Sequence, residues 1–358
     1  MFQMRRSLLI AALLFLLTGC TPPASSAPTA SPSPSSAPSA TVSASPTATA
    51  SASTAPGASA TPIALPSTAQ LSAPSANVVW ALVAGNRLFR STDRGETWQD
   101  RSAALDPLAV SRDISFISDS EGWQATTGPS DAACPVQAIG VAHTTDGAAT
   151  WSQVVAAVPP AGTNPSGLFG GPCKSGLIFA DPEVGFLSSR DPNSAPVIYR
   201  TADGGRTWGA SRALPDPPGF ATRAGGALQP GRVRVVGTTT LLVAASGDTG
   251  GRLATFAFRS VDGGSTWSYL ATIPEGGGAF TFVSATRWLQ IGAPGSSKET
   301  TDGGTTWHAF TTDYSQAAPI APEVVFGDPL VGYATVRGAI QRTTDGGAHW
   351  TTIKTPGT

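Results

Sequence analysis

The sequence predicts an all-β protein built from six stacked copies of one unit, and three observations support this. An eight-residue motif occurs six times, with steps of 53, 57, 59, 40 and 43 residues between successive aspartates. Repeats of this length are typical of units that cannot bury their apolar faces alone and therefore stack. The 40 glycines and 31 prolines fit short strands joined by tight turns, and no sustained amphipathic helical period is present.

The repeated motif reads Ser/Thr, any residue, Asp, any residue, Gly, two further residues and Trp, which is the chemistry of a hairpin turn. The Asp side chain can accept hydrogen bonds from backbone N–H groups just ahead of it, and the Ser or Thr hydroxyl adds a further partner. Trp at the eighth place begins the next strand, and these tryptophans are predicted to supply the main packing between units. The residues assigned this structural role are Asp93, Trp98, Asp146, Trp151, Asp203, Trp208, Asp262, Trp267, Asp302, Trp307, Asp345 and Trp350.

Gly at the fifth place permits the positive φ that a tight hairpin needs. Five copies carry Gly there, but the second copy carries Ala148. A residue with a Cβ adopts positive φ at a cost. The turn at Ala148 is therefore predicted to be strained or slightly opened.

The motif resembles the Asp-box, or BNR repeat, of sialidases and related β-propellers. Copies ending in Asp-Gly-Gly-Xaa-Thr-Trp are most similar to the photosystem II stability/assembly factor family. A second motif, with Phe six residues before Gly and an aromatic residue next, occurs at residues 116–123, 179–186 and 326–333. The resemblance covers about residues 76–358 and implies a six-bladed β-propeller with one Asp-box hairpin per blade. Seven blades are the alternative, but no spare segment is long enough for a boxless blade.

Each blade is predicted to contain four strands, A to D, in chain order. The Asp-box turns join strands C and D and share one face of the ring with the A–B turns. The B–C and D–A loops lie on the opposite face, which we call the loop-rich face. Strand A of blade 1 is predicted at about residues 66–73 or is absent, and blade 4 diverges most from the pattern.

The first 75 residues are predicted to export and anchor the protein. Residues 1–19 combine Arg5 and Arg6 with a short apolar run, as in a secretory signal. The run ends in Leu17-Thr-Gly-Cys20, which resembles a bacterial lipoprotein signal and implies a lipid on Cys20. An ordinary secretory signal is the alternative. Residues 20–75 are nearly all Ser, Ala, Pro and Thr and are predicted to be a disordered tether on the outer face of the cell membrane.

The two other cysteines are predicted to form a disulfide. Cys134 falls in the B–C loop of blade 2, and Cys173 falls in the loop between blades 2 and 3, so both lie on the same face of adjacent blades. An exported location permits the bond. Two separate thiols are the alternative.

The composition offers little for catalysis, metal binding or nucleic-acid binding. The three histidines, His143, His308 and His349, adjoin Asp-boxes of different blades and are predicted to be structural, which argues against a Ser-His-Asp triad and a His-ligated zinc. The box aspartates lack the alternating Asp or Asn of a calcium loop. The formal net charge of −1 does not suggest a nucleic-acid surface. No metal and no cofactor are predicted.

Sialidase chemistry is the serious enzymatic alternative. That family uses an arginine triad, a Tyr nucleophile paired with Glu, and an Asp acid/base. The Arg-Ile-Pro-like segment that carries its first arginine is missing here. Tyr314 with Glu323 is the only candidate couple, and the family's catalytic residues cannot be transferred onto this sequence.

Arginines form the predicted partner-binding surface. In the photosystem assembly family, an arginine patch is implied in holding a partner protein, and solvated surface arginines are the alternative here. The candidates in or beside the loop-rich face are Arg190, Arg337, Arg112, Arg223, Arg232 and Arg252. The predicted function is a membrane-anchored, non-catalytic binding or assembly scaffold for a protein partner. The alternatives are a sialidase-type glycoside hydrolase and a carbohydrate- or cell-wall-binding module.

Overall fold

The computed structural model describes residues 69–105, 111–127, 139–156, 163–168, 170, 173–191, 193–220, 227–237, 239–275, 278–292, 295–314, 323–336 and 339–354. These residues form strands, one 3-10 helix at Ser102–Ala104 and no α-helix. All of them belong to one compact unit, Ala58–Thr358. Within this described part, no helix is long and apolar enough to cross a membrane.

The strands form six antiparallel sheets, which are the blades of a six-bladed β-propeller and confirm the predicted fold class. Blades 1 to 3 contain β1 (Ala69–Ser72), β2 (Val79–Val83), β3 (Arg87–Ser91), β4 (Gln99–Asp100); β5 (Ser111–Phe116), β6 (Gly122–Thr127), β7 (Ile139–Thr144), β8 (Ser152–Val155); and β9 (Lys174–Phe179), β10 (Val184–Ser189), β11 (Ile198–Ala202), β12 (Gly209–Ala210). Blades 4 to 6 contain β13 (Gln229–Pro230), β14 (Arg234–Val235), β15 (Leu241–Asp248), β16 (Leu253–Ser260), β17 (Ser268–Ile273); β18 (Ala279–Phe282), β19 (Trp288–Ile291), β20 (Lys298–Thr300), β21 (His308–Ala309); and β22 (Val324–Phe326), β23 (Gly332–Val336), β24 (Ala339–Thr343), β25 (Thr351–Ile353).

The two weakest blades of the sequence pattern are both complete. β1 is the inner strand of blade 1 and lies within the stretch of about residues 66–73 where strand A was predicted. The inner strand of blade 4 is split into β13 and β14, which both pair with β15. Arg232 lies between β13 and β14, so it is not part of the regular backbone pairing with β15.

Side chains, and not a shared strand, close the ring between blades 6 and 1. Every blade is made of strands that are consecutive in the sequence. The indole nitrogen of Trp98 donates to the backbone oxygen of Lys354 at 2.9 Å, and the hydroxyl of Tyr333 donates to that of Ala76 at 2.9 Å. The first and last blades are thus joined by tertiary hydrogen bonds and packing alone.

Three aromatic rings pack at each of the first two blade interfaces. Between blades 1 and 2, Trp80 stacks on Phe116 with ring centroids 3.6 Å apart, and Trp151 packs edge-on against the same phenylalanine. The same arrangement recurs between blades 2 and 3 in Trp123, Phe179 and Trp208. Such pairs add about 0.5–1.5 kcal/mol each to the burial of their surfaces. The Phe of the second sequence motif thus forms the centre of an inter-blade contact.

The packing between blades also uses tryptophans that the prediction for the Asp-box tryptophans did not include. The fully buried tryptophans are Trp80, Trp123 and Trp288, which all lie on the second strand of a blade. Of the Asp-box tryptophans, Trp208, Trp267 and Trp350 are buried, and Trp98, Trp151 and Trp307 keep partial exposure. The second strand has neighbours on both sides within its sheet, which explains why its tryptophans are the most deeply buried.

The Asp-box turns are held by the hydrogen bonds that the sequence predicts. In blade 5, the hydroxyl of Thr300 donates to Asp302 and accepts from the N–H of Gly304 at 2.9 Å. The carboxylate of Asp302 also accepts from the backbone and the hydroxyl of Thr306. Hydrogen bonds from Thr306 lower the pKa of Asp302 to about 2. The turn is therefore a local structure that each blade builds from its own residues.

The fifth place of each Asp-box has a positive φ, as predicted. The φ values of Gly205 and Gly304 are 96° and 88°. Ala148 in the second box has a φ of 61° and still donates its N–H to the hydroxyl of Thr144 at 3.0 Å. This turn has kept its geometry at the cost of backbone strain and has not opened.

Alanine substitutions at two equivalent glycines distinguish the loss of stability caused by positive φ from the loss caused by steric crowding. In Gly304→Ala the new Cβ would lie 2.5 Å from Trp288 and 2.7 Å from Ala271, whereas in Gly205→Ala its nearest neighbour, Phe179, is 3.3 Å away. Both variants should lose about 1–2 kcal/mol of unfolding free energy through φ strain. Gly304→Ala should lose roughly 1–3 kcal/mol more through overpacking. Urea unfolding measures both losses, and equal losses would show that crowding at Gly304 adds no cost.

Candidate functional site

The inner strands of the blades surround a central channel and carry two layers of residues that face it. In blades 2 to 6 the first layer lies three residues before the end of the inner ladder and the second layer lies one residue before it. In blade 1, whose ladder ends at Ser72, the corresponding residues are Gln70 and Ser72. The first layer contains Gln70, Asp113, Gly176, Arg232, Ala279 and Glu323. The second layer contains Ser72, Ser115, Ile178, Arg234, Thr281 and Val325.

Polar side chains of these layers bind the free N–H edge of the next blade. The inner strand is an edge strand, so half of its backbone donors have no partner within their own sheet. Gln70 accepts from the N–H of Ile114 at 2.7 Å, and Ser115 accepts from the N–H of Phe179 at 2.8 Å. Glu323 accepts from the N–H of Leu71 at 2.7 Å and repeats the contact across the ring closure. Much of the polarity of the channel thus has a structural cause.

Arg232 reaches from blade 4 across the channel to three other blades. Its guanidinium donates to Asp113 of blade 2 at 2.7 Å and to Glu323 of blade 6 at 3.1 Å. It also donates to the backbone oxygen of Leu71 in blade 1 at 3.3 Å. Burial acts to lower the pKa of Arg232, but the charges of both carboxylates outweigh it and raise the pKa. We call this arrangement the arginine brace.

Asp113 accepts four hydrogen bonds in the brace. One oxygen accepts from Arg232 and from the amide of Gln70, and the other accepts from the N–H groups of Gly176 at 2.5 Å and Leu177 at 2.8 Å. Gly176 has a φ of 75° at an irregularity in the pairing of β9 with β10. A Cβ there would lie 3.1 Å from the Cα of Arg232. Glycine is therefore required both for the backbone conformation and for the close approach of blade 4.

Glu323 has a different environment from Asp113. Burial raises the pKa of Glu323 to about 7, although Arg232 and the N–H of Leu71 oppose the shift. Its carboxylate receives these two partners, whereas that of Asp113 receives four donors. Glu323 is thus the less strongly stabilised of the two carboxylates that bind Arg232.

Above the brace lies a pocket of about 330 Å³ at the loop-rich end of blades 1 to 3. Its charged lining residues are Arg112, Asp113, Lys174, Arg190, Arg232 and Glu323, so four cationic side chains face two carboxylates. Both carboxylates already bind Arg232. Among its described lining residues the pocket therefore has an excess of positive charge, which attracts anionic groups.

Three cations of this pocket lie outside the brace, and they differ in burial and in hydrogen-bond partners. Arg112 is buried and donates to Gln124 at 2.8 Å and to the backbone oxygen of Gly85 at 2.7 Å. Burial lowers the pKa of Lys174 to about 8. The ammonium of Lys174 donates to the backbone oxygen of Gly170 at 2.8 Å. Arg190 is exposed, and its guanidinium has no hydrogen-bond or ion-pair partner among the described residues.

The other predicted site residues are placed as follows. Arg252 lies at the tip of the β15–β16 hairpin, exposed and paired with Glu275. Arg223, Arg337, Cys20 and Cys134 lie outside the described residues. Cys173 is disulfide-bonded, and because its partner lies outside the described residues, the pairing with Cys134 stays a prediction. Arg190 joins Arg112 and Arg232 in the pocket, and their role in partner binding likewise stays a prediction.

Tyr314 and Glu323 do not form a catalytic couple. Tyr314 is buried, and its hydroxyl donates to the backbone oxygen of Thr335 at 2.9 Å. Burial raises the pKa of Tyr314 far above its usual range. Glu323 instead faces Arg232. Within the described residues, no cluster of three or more His, Cys, Asp or Glu side chains could hold a metal ion.

Sequence reasoning missed Gln70, Asp113 and Lys174 as pocket residues. A signal for the first layer was present, because Asp113, Gly176 and Glu323 each stand three residues before the Phe of the second motif. Arg232 likewise stands three residues before the end of the inner strand of blade 4, but blade 4 lacks the Phe motif, so the sequence does not show where that strand ends. Lys174 carries no comparable signal, since its place depends on the loop between blades 2 and 3.

Two arginines of blade 4 test the contribution of the brace. Arg232→Met leaves two partly buried carboxylates without their cation and should lower the unfolding free energy by about 2–4 kcal/mol at neutral pH. Arg252→Met also removes a pairing with glutamate, but both partners are exposed, so the loss should stay below about 1 kcal/mol. Urea unfolding of both variants measures the difference. Similar small losses would show that the brace does not stabilise the ring.

Comparisons with known proteins add solved structures of similar fold. No family model matches the chain, and no curated protein matches it. One similar structure is YCF48, a photosystem II assembly factor, from Cyanidioschyzon merolae, with 18% identity over 81% of this chain and 85% of that chain and a TM-score of 0.48. YCF48 bound to a D1 peptide has 18% identity over 81% and 82% of the chains and a TM-score of 0.44. An α-L-arabinofuranosidase from Fusarium graminearum with an iminosugar inhibitor has 14% identity over 78% and 88% and a TM-score of 0.48. At these levels the similarity concerns the fold alone.

Proposed function

We propose that this protein is a membrane-anchored, extracytoplasmic binding scaffold that does not turn over its ligand, and that the loop-rich pocket receives an acidic segment of a partner protein. The observation that carries the proposal is the charge of the pocket. Four cations face two carboxylates, and both carboxylates are already bound within the brace. Arg190 presents its guanidinium to solvent without a partner among the described residues. Arginine suits this role because its planar fork binds carboxylates with two parallel hydrogen bonds.

The chemistry of the lining favours binding over turnover. The side chains around the pocket include no His, Cys or Tyr among the described residues. Asp113 has its oxygens occupied by four donors, so it is poorly placed to accept a proton from a substrate. Arg112 and Lys174 are held by backbone carbonyls in fixed positions. A preorganised cationic surface of this kind lowers the ordering cost of binding.

The second candidate function is a glycoside hydrolase, and one observation favours it. Asp113 and Glu323 lie in the same pocket, and burial raises the pKa of Glu323 to about 7. Many glycosidases use two carboxylates, one of which acts as an acid with a raised pKa. Against this role, both carboxylates bind the same guanidinium and backbone N–H groups of neighbouring blades.

The partner site is tested with the full chain and a fluorescent glutamate-rich peptide. Arg190→Glu should weaken binding at least about 10-fold, because it reverses the charge of the exposed cation. The matched control is Arg206→Glu, on the box turn of the same blade and exposed on the opposite face of the ring. It should bind like the wild type, and binding should weaken with salt.

Equal binding by both variants would contradict the assigned site. The same preparations are assayed for release of nitrophenol from arabinofuranoside and sialoside substrates. Cleavage that Glu323→Gln abolishes would replace the scaffold with the hydrolase. Co-purification of a protein from native membranes by the wild type and Arg206→Glu, with loss in Arg190→Glu, would support a protein ligand.

The anchor is tested through Cys20. A bacterial host fed a labelled fatty acid should incorporate it into the wild type and into the control Thr21→Ala, but not into Cys20→Ser. The reason is that the proposed lipid is attached to the cysteine thiol, which only Cys20→Ser removes. Two or three acyl chains hold a protein firmly on a bilayer. Label in Cys20→Ser, or its absence from the wild type, would contradict lipid anchoring.

A further inference from the structure

The second layer of the channel contains an arginine that no carboxylate balances. Arg234 donates one N–H to the backbone oxygen of Phe326 at 3.2 Å. Its Nε is buried without an acceptor, and no other hydrogen bond or ion pair engages the guanidinium within the described residues. The second-layer residues that share the channel with it are Ser72, Ile178, Thr281 and Val325. None of these side chains is acidic.

Arg232 shows what a satisfied arginine looks like in the same strand. It lies two residues earlier, in the first layer, and binds two carboxylates. Burial lowers the pKa of Arg234, with no opposing charge, whereas the two carboxylates raise the pKa of Arg232. The fold thus places two arginines at successive levels of one channel and supplies counter-charges for only one of them.

Arg234 is partly buried, and a partly buried cation without a counter-charge costs stability because part of its hydration is lost. Proteins tolerate such a cost mainly at functional sites, where local rules are broken for a purpose. The second-layer serines have structural partners, since Ser72 accepts from the N–H of Phe116 and Ser115 from that of Phe179. Arg234 supplies no acceptor to a free N–H group, since its one bond is donated to the carbonyl of Phe326 on the inner strand of blade 6.

The cavity around Arg234 has the size and lining of a small-molecule site. Its volume is about 690 Å³, within the range of ligand pockets. Its walls include the apolar side chains of Ile178, Phe280 and Val325 and the hydroxyl-bearing Thr281, and Arg232 and Glu323, which bind each other, also line it. An anion that binds here must therefore offer one compact negative group and an apolar remainder.

We propose that the central channel is a second binding site, distinct from the loop-rich pocket, that takes a small monocarboxylate with an apolar body. The carboxylate binds the free N–H groups of Arg234, and the hydrocarbon part packs on Ile178, Phe280 and Val325. The arginine brace separates this site from the loop-rich pocket, since Arg232 and Glu323 line both cavities.

Calorimetric titration of the full chain with sodium hexanoate, hexanamide and inorganic phosphate tests the proposal. Hexanoate should bind at one site per chain, and the isosteric neutral amide should bind at least about 10-fold more weakly, because it lacks the charge that Arg234 pairs with. Phosphate should not compete, because it lacks an apolar body and is costly to dehydrate. Equal binding of hexanoate and hexanamide, or equal binding of phosphate, would overturn the proposal without any variant.

Arg234→Met removes the guanidinium and keeps a long apolar side chain. It should weaken hexanoate binding at least about 10-fold and leave the ligand-free protein with an equal or higher urea midpoint. The control is Arg259→Met on β16 of the same blade, where the arginine is exposed, and it should bind hexanoate like the wild type. A lower urea midpoint for Arg234→Met would assign Arg234 a structural role and overturn the proposal, as would unchanged hexanoate binding.

Discussion

The ion pairs of Arg232 with Asp113 and Glu323 are the interaction on which the ring most depends. No strand is shared between the first and last blades, so the propeller has no backbone ladder across its closure. The guanidinium of blade 4 meets carboxylates of blades 2 and 6 and a carbonyl of blade 1 near the axis of the ring. Four blades are thereby tied at one point, and a separation of any one of them would leave partly buried charges unpaired.

The brace is one case of a more general requirement. Every inner strand presents a row of unpaired N–H groups to the channel, and these groups must find acceptors. Side chains of the preceding blade supply them, as Gln70 does for Ile114 and Asp113 does for Gly176. A polar or charged residue near the axis is therefore explained first by its hydrogen bonds to the next blade. Arg190 and Arg234 do not supply such acceptors, and the two proposed binding sites are built on them.

The two candidate sites share this logic and differ in chemistry. The loop-rich pocket places several cations around carboxylates that are already engaged, and it suits an acidic chain segment. The channel holds one unbalanced cation beside apolar walls and suits a small carboxylate. Neither site leaves Tyr314 or the two carboxylates unengaged, since Tyr314 binds a backbone carbonyl and both carboxylates bind one arginine. Fold and chemistry are separate properties here.

The sequence by itself determined the number of blades, the position of each Asp-box turn and the need for positive φ at its fifth place. These features depend on hydrogen bonds between residues two to four positions apart, as between Thr300, Asp302 and Gly304, so the motif spacing is sufficient. Only the tertiary structure decided which arginines are free. Arg232 meets its carboxylates across sequence separations of 91 and 119 residues, and Arg112 is buried against Gln124. Such contacts depend on how far one irregular strand of blade 4 reaches into the channel once the ring has closed, and no local pattern encodes that distance.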